Sequence, residues 1–383
     1  MCHLVLVKQT SQQHNLNAGQ IIQSLGGLTY QMLGAERRFN CKYFKSDINK
    51  ALLFTATNET YLEEGAYELR AITGDSTPSP DVIFNTITPV TSKEWIDRFN
   101  KLNDKLIKRA EKRGLLNGPL ILAGDTTLDP WFGDANHDWV IGTMDFRGTY
   151  SGYGFVTVEV VQLGERFTLG VLPINQLCSK ERAIKDLLLK ILKKHDIGVI
   201  LLDRGFFNFE MLKWLLEQKI HFIMPIPRNG KVKDLLDEAK PYRYRIFSYS
   251  MSKGKEEISF TTVIMDSTKN RKESVTDDGR FIFATDTEML TEPELFLYSK
   301  TYNSRWGIET GYRIKDRFLI HTTTSVYSVR VFFFLLSVAI YNLWVIINAM
   351  KKMKNPDRYE YWVTTTQLKI IIKKACVMNL FRG

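Results

Sequence analysis

Two unbroken apolar runs, each stopped by an aspartate, organise the middle of this chain. Pro119-Leu-Ile-Leu-Ala-Gly124 ends at Asp125, and Ile197-Gly-Val-Ile-Leu-Leu202 ends at Asp203. Continuous runs of this length, bounded by glycine and polar residues, predict strands buried on both faces, the habit of parallel sheets. Between them the pattern changes. Trp139 to Met144, Gly148 to Gly154, Phe155 to Val161 and Phe167 to Leu172 are alternating and turn-rich, which predicts antiparallel strands joined by hairpins. Lys180 to His195 has helical periodicity, with Ala183, Leu187 and Ile191 on its buried side. A helix at Phe209 to Gln218 and a strand at His221 to Pro225 follow the second run. A right-handed crossover through 180–195 sets the two aspartate strands parallel.

The flanks differ. Residues 1–93 are helical and loop-punctuated, and Ser79-Pro80-Asp81 is a helix start with Ser at the N-cap and Pro at the first helical position. Glu36 to Lys45 mixes basic and aromatic residues, which suits phosphate contact and stacking or an ordinary amphipathic surface. From Glu94 to Arg113, Trp95, Phe99, Leu102, Leu106 and Ala110 form an apolar stripe at helical spacing. Arg98, Lys101, Lys105, Lys108 and Lys112 form a second stripe beside it, a row of bases without an acid that suits a DNA backbone. Tyr242 to Phe247, Ile258 to Met265 and Arg280 to Thr285 predict strands within a β-rich segment with basic loops such as Lys269 to Lys272. Val331 to Met350 is a run of twenty residues without a charge, long enough to cross a membrane. It also contains Ser337, Tyr341, Asn342 and Asn348, and bases flank it on both sides. These features favour a helix packed on the central sheet.

Composition narrows the class. The chain has 383 residues, enough for two or three domains, and its 44% hydrophobic content excludes a disordered protein. A net charge of +10 suits a polyanionic partner, and the 33 residues after Met350 carry eight Lys or Arg against two acids. Cys2, Cys41, Cys178 and Cys376 make no paired spacing, so reduced thiols in a cytoplasmic setting are expected. Met1 to Gly19 lacks the apolar segment of a signal peptide. No Walker loop, GxGxxG turn, Gly-x-Ser-x-Gly elbow or HExxH pair is present, and the six histidines do not cluster.

The candidate chemistry starts from the two aspartates. In open α/β sheets ligands collect at the carboxyl ends of strands, where both stand. Crowded carboxylates repel unless one is protonated or a cation lies between them. Oxygen-only ligands suit Mg²⁺ or Mn²⁺, and two such ions about 3.5–4 Å apart commonly serve in-line displacement at phosphorus. A third acid, Glu309, sits in Tyr302-Asn-Ser-Arg-Trp-Gly-Ile-Glu-Thr-Gly-Tyr-Arg313. At 3.6 residues per turn, Tyr302, Arg305, Glu309, Tyr312 and Arg313 share one helix face. That face suits a metal ligand flanked by phosphate-gripping guanidiniums, or a solvated surface with an Arg305–Glu309 pair.

These three motifs, in this order over residues 119 to 350, resemble those of the DDE transposases of insertion sequences, whose third acid lies in a Tyr-x-x-Arg-x-x-x-Glu helix. The resemblance implies an RNase-H-like α/β core, a mixed sheet flanked by helices, interrupted by a β-rich insertion and preceded by a helical N-terminal region. It implies domains at 1–115 (helical, DNA-binding), 116–228 (catalytic core, first part), 229–295 (β-rich insertion), 296–350 (C-terminal core helices) and 351–383 (basic tail). Asp125, Asp203 and Glu309 are then the catalytic and metal-binding acids for two Mg²⁺ ions, with Mn²⁺ able to substitute. Tyr302, Arg305, Arg204, Arg313 and Lys315 are then phosphate-binding candidates, joined by the basic row from Arg98 to Lys112. The family's pattern has a lysine seven residues after the Glu, where this chain has Asp316, and Lys315 is the nearest match. The implied function is hydrolysis of a phosphodiester at a transposon end and transfer of the 3′-hydroxyl into target DNA. The implied partners are double-stranded DNA, at transposon ends and target, and a second copy of the chain in the DNA complex, without a membrane. The implied location is the cytoplasm, at the nucleoid. A host-recruited nuclease or DNA-binding protein without strand transfer, and a membrane-anchored binding protein built on 331–350, stay open.

Overall fold

The computed structural model describes residues 18–34, 41–162, 166–266, 279–287, 291–349 and 363–381. The basic and aromatic residues Glu36 to Phe39, the Lys269–Lys272 loop, Cys2 and residues 351–362 of the basic C-terminal segment lie outside them.

The chain opens with helices: α1 (Ala18–Leu33), α2 (Lys45–Asn58), α3 (Leu62–Thr73), α4 (Pro80–Ile87) and α5 (Ser92–Glu111). Pro80 stands in the first turn of α4, where its missing N–H costs nothing. A capping box starts α5, with the Glu94 amide donating to Thr91 Oγ1 at 3.2 Å and the Thr91 amide to Glu94 Oε2 at 3.0 Å. The apolar stripe expected on this helix, Trp95 through Ala110, is buried.

The central sheet begins with β1 (Leu120–Pro130), then β2 (Ile141–Phe146), β3 (Thr149–Val160) and β4 (Phe167–Ile174), an antiparallel set. Helix α6 (Lys180–Leu192) crosses over to β5 (Ile197–Leu202), which pairs with β1 in parallel. Helix α7 (Phe209–Glu217) leads to β6 (Phe222–Pro225), parallel to β5. After α8 (Gly230–Ala239) come β7 (Tyr244–Lys253), β8 (Glu256–Asp266) and β9 (Arg280–Thr285). The strands of this β-rich segment do not stand apart: β9 pairs antiparallel with β6, so the order runs β2-β3-β1-β5-β6-β9-β8-β7, with β4 also on β3.

Helices cover both faces. Gly124 and Gly170 let α6 close on one face, since a Cβ at either would meet Ile184 or Leu187 at 2.7 Å. The other face carries α9 (Glu292–Asn303), α10 (Trp306–Asp316) and α11 (Tyr327–Ala349). There Ile121, Ala123, Val199 and Leu201 pack with Leu295 of α9 and Ile308 of α10. Helix α11 is the twenty-residue apolar run. It is long and apolar enough to cross a membrane, but 89% of its most apolar stretch is buried inside the protein. Its polar residues have internal partners. Asn342 accepts from the Thr168 amide at 2.9 Å and donates to Asn103 of α5 at 2.8 Å, pinning α5, β4 and α11 together.

The C-terminal segment, expected as a basic tail, contains α12 (Thr365–Val377). Leu368, Ile372, Ala375 and Cys376 are buried, and Cys376 Sγ donates to the Lys50 carbonyl of α2. This helix completes the N-terminal helical group because its apolar residues recur at helical spacing, a signal that its lysines obscured.

Candidate active site

Side chains alternate along a strand, so parity decides which face each aspartate serves. Ile121 and Ala123 face α9 and α10, and so does Asp125, the next in the series. Val199 and Leu201 place Asp203 on the same face. The parallel register pairs Gly124 with Leu202, so the two aspartates follow the last paired position on neighbouring strands. Such strands lie about 4.8 Å apart. Beyond that pair β1 continues along β3 to Pro130, while β5 turns away, which leaves Asp125 within its strand and Asp203 at an end. Asp203 caps the short turn Arg204–Phe206, accepting from the Gly205 amide at 2.9 Å. The Thr126 amide donates to Asp125 Oδ1 at 2.8 Å.

Glu309 approaches from the first turn of α10, where the helix dipole favours an acid. The stretch from Tyr302 to Arg313 is not the single helix expected: the helix is interrupted between Asn303 and Trp306, because turns at Ser304 and Arg305 end α9 and start α10. Arg305 stands at that break and reaches inward. Its Nη1 lies 3.7 Å from Asp125 Oδ2 and its Nη2 3.4 Å from Glu309 Oε1, with only 12% of the side chain exposed. The Arg305–Glu309 pair is therefore present, but inside the site rather than on a solvated face. Tyr302 lies beside it, its ring 5.8 Å from the guanidinium. Burial pushes the Tyr302 hydroxyl up to about 12.

Burial is also what raises the Asp125 carboxyl, to about 6; the Thr126 amide and Arg305 oppose the rise, and the charges of Asp203 and Glu309 add to it. The three acids thus share one electrostatic site. Among the described residues no three His, Cys, Asp or Glu side chains close to metal-holding distance. The donor set nonetheless fits a hard divalent cation: it is all oxygen, and Asp125 feels a repulsion that such a cation relieves.

The remaining candidates divide. Arg204, the residue after Asp203, and Arg313, four residues after Glu309, are both exposed. Lys315 is not a surface base: it is 1% exposed and its ammonium donates to Glu159, which is fully buried on β3. Its place in the last turn of α10, turned from Glu309 by about a third of a revolution, points it into the sheet. Asp316, at the position of the family's lysine, pairs with Arg147 of the β2–β3 hairpin at 2.7 Å. In the α5 row, Lys101, Lys105, Lys108 and Lys112 are exposed, and Lys105 donates to Gln31 at 2.7 Å. Arg98 is committed elsewhere, donating to the Leu33 carbonyl at the end of α1 at 3.0 Å.

Sequence patterning overlooked two neighbours of the site. Lys180, opening α6, borders the space beside Gly205: a Cβ there would meet Lys180 Nζ at 2.8 Å and Asp203 Oδ1 at 3.1 Å. Arg330, opening the apolar run of α11, is 3% exposed and pairs with Asp129 of β1 at 2.6 Å. It also donates to the Thr322 and Thr324 carbonyls at 3.0 and 2.7 Å, fastening the segment after α10 to β1. A charge at the edge of an apolar run was the available signal.

A family model described as the transposase DDE domain matches residues 144–343, a span that holds Asp203 and Glu309 but begins after Asp125. No curated protein matches the chain. Among solved structures, the cryo-electron microscopy structure of a piggyBac transposase synaptic complex with hairpin DNA superposes with a TM-score of 0.51. The likeness covers 95% of this chain and 78% of that one at 12% identity, which makes it a likeness of fold.

Proposed function

The chain belongs to the transposase DDE domain family, and on that premise we propose that Asp125, Asp203 and Glu309 are its catalytic acids, acting on DNA phosphodiesters. One observation carries the proposal: the β1–β5 register ends at Gly124 and Leu202, so two aspartates from distant parts of the chain meet opposite Glu309. The structural neighbour was solved with hairpin DNA in a synaptic complex; for this chain we extend that to double-stranded DNA, at transposon ends and target, bound by two copies.

The three carboxylates would hold Mg²⁺ or Mn²⁺, which would supply Lewis-acid stabilisation to the attacking and leaving oxygens. The protein's own groups do the rest. Arg305, already charged and mostly buried, balances Asp125 and Glu309 and presents donors to phosphate oxygens. Lys180, which borders Asp203, and the exposed Arg204 and Arg313 would hold the flanking phosphates. In the first step a water oxygen bonds to phosphorus, the bond to the 3′-oxygen breaks, and that oxygen takes a proton. In the second the freed 3′-hydroxyl loses its proton and attacks a target phosphodiester, displacing another 3′-oxygen. Both are in-line displacements with the same charge development, so one constellation serves both.

Asp125→Ala, Asp203→Ala and Glu309→Ala should each abolish Mg²⁺-dependent cleavage of end-bearing DNA and leave DNA affinity nearly unchanged, since affinity comes mainly from neutralised phosphates. Robust cleavage by any one variant removes that residue from the site. Cleavage without joining, by a wild-type protein given 3′-hydroxyl donor ends, would leave a nuclease.

A further inference from the structure

Behind the three acids lies a buried ion pair that the proposed chemistry does not use. Lys315 and Glu159 are 1% and 0% exposed, and Lys315 donates to Glu159 Oε1. Burying two charges costs several kcal/mol, and apolar residues often replace such pairs without loss of stability. The pair is the foot of a chain of contacts. Thr157 Oγ1 lies 3.3 Å from Glu159 Oε1 and 2.7 Å from Tyr312 Oη, and Tyr312 Oη lies 3.1 Å from the main-chain carbonyl oxygen of Asp125. Thr157 is also the residue paired with Asp125 across β1 and β3.

Each hydroxyl carries one hydrogen, so two hydrogens serve these three contacts. Because Lys315 satisfies Glu159 Oε1, the Thr157 hydrogen is free to go to Tyr312, and the Tyr312 hydrogen to Asp125. Without Lys315 the carboxylate claims the Thr157 hydrogen, Tyr312 donates to Thr157, and Asp125 is released. Tyr312 sits one helical turn after Glu309 on α10. The chain therefore ties the Glu309 helix to the main chain of Asp125 at the point where β1 has lost its β5 partner. The fit is close: a Cβ on Gly311 would sit 2.7 Å from Glu159 Oε2 and would force that carboxylate to shift.

We propose that Lys315, Glu159, Thr157 and Tyr312 form a positioning chain that fixes the spacing between Asp125 and Glu309 at which they take up a divalent cation. The proposal rests on the assignment of these two acids as metal ligands. Tyr312→Phe is the cleanest test, since it keeps the ring and removes only the donor. Binding is read directly, from the electron paramagnetic resonance signal of free Mn²⁺ titrated into the full-length protein, beside salt-dependent DNA affinity. Partners outside a metal's own ligands typically set 10–100-fold in metal affinity, and a main-chain contact belongs near the low end, about tenfold. Tyr312→Phe should weaken Mn²⁺ about tenfold at unchanged DNA affinity. Thr157→Val should leave Mn²⁺ affinity near the wild-type level, because the Tyr312 hydrogen still goes to Asp125 and only the acceptor that competes for it is lost, and the double variant should be no worse than Tyr312→Phe alone. Wild-type Mn²⁺ affinity in Tyr312→Phe, with binding lost in Asp125→Asn, overturns the positioning role and leaves the metal site standing. Wild-type affinity in Asp125→Asn overturns the metal assignment itself, and the proposal with it.

Discussion

Replacing Asp125 by asparagine should stabilise the metal-free protein while destroying its function. The carboxyl rises from 3.8 to about 6, chiefly by burial, with its side chain only 14% exposed. Each unit corresponds to about 1.4 kcal/mol, so ionising Asp125 in the folded state costs about 2–3 kcal/mol after a modest allowance for exposure. Asparagine keeps the acceptor for the Thr126 amide and omits the charge. The sign follows from linkage: a carboxyl with a raised native value holds its extra proton only when folded. Wild type and variant are therefore equally stable below about pH 4, the variant gains as pH climbs to about 6, and the gap is flat above. If the chain unfolds as one unit, an entropy near 2.1 cal/mol/K per residue converts the full gap to about 2–4 °C in Tm. Differential scanning calorimetry in chelator, from pH 4 to 8, reads it. Adding Mn²⁺ should close the gap at one hundred times Kd, where about 2.7 kcal/mol of stabilisation goes to wild type alone, and reverse the order at one thousand times Kd, where about 4.1 kcal/mol does. A variant less stable than wild type in chelator at pH 7, or a gap indifferent to pH between 4 and 6, refutes the electrostatic reasoning.

Other consequences are more local. Arg330→Ala leaves the half-buried Asp129 without its partner and frees the Thr322 and Thr324 carbonyls, and should cost about 2–4 kcal/mol in denaturant unfolding. Lys180→Ala should slow cleavage, because the ammonium borders Asp203, and lower stability by no more than about 1 kcal/mol through the lost contact over the Phe206 ring; a loss of stability in place of activity would make it structural. Removing residues from 364 onward should unfold the N-terminal helices, since α12 packs on α2 and Lys369 pairs with Glu59. A folded truncation with only a flatter salt dependence would show the segment to be a DNA-binding appendage after all.

Much of the fold was legible because periodicity carried it. The two apolar runs gave β1 and β5, the stripe from Trp95 to Ala110 gave α5, and polar residues within an apolar run gave α11 as a buried helix. The meeting of the two aspartates followed from where the runs stop, at the carboxyl ends of strands expected to be parallel. What failed was exposure. Lys315 and Arg98 are phosphate-binding candidates by sequence, yet one is buried against Glu159 and the other donates to the end of α1. Only tertiary contacts distinguish a charge facing solvent from one facing a partner distant in sequence. A clue to Lys315 existed: Glu159 interrupts the apolar strand from Phe155 to Val161, and an acid there requires a buried cation. The break at Ser304 was hidden for a different reason, since no glycine or proline marks it.

The most direct measurement is a crystal structure of the protein soaked in Mn²⁺, with the ion located by its anomalous scattering. The carboxylates of Asp125 and Asp203 should share a peak within about 2.5 Å, with Glu309 contributing to the same site. A peak elsewhere on the chain, or none at the three acids at Mn²⁺ concentrations that support cleavage, would contradict their assignment as the catalytic center.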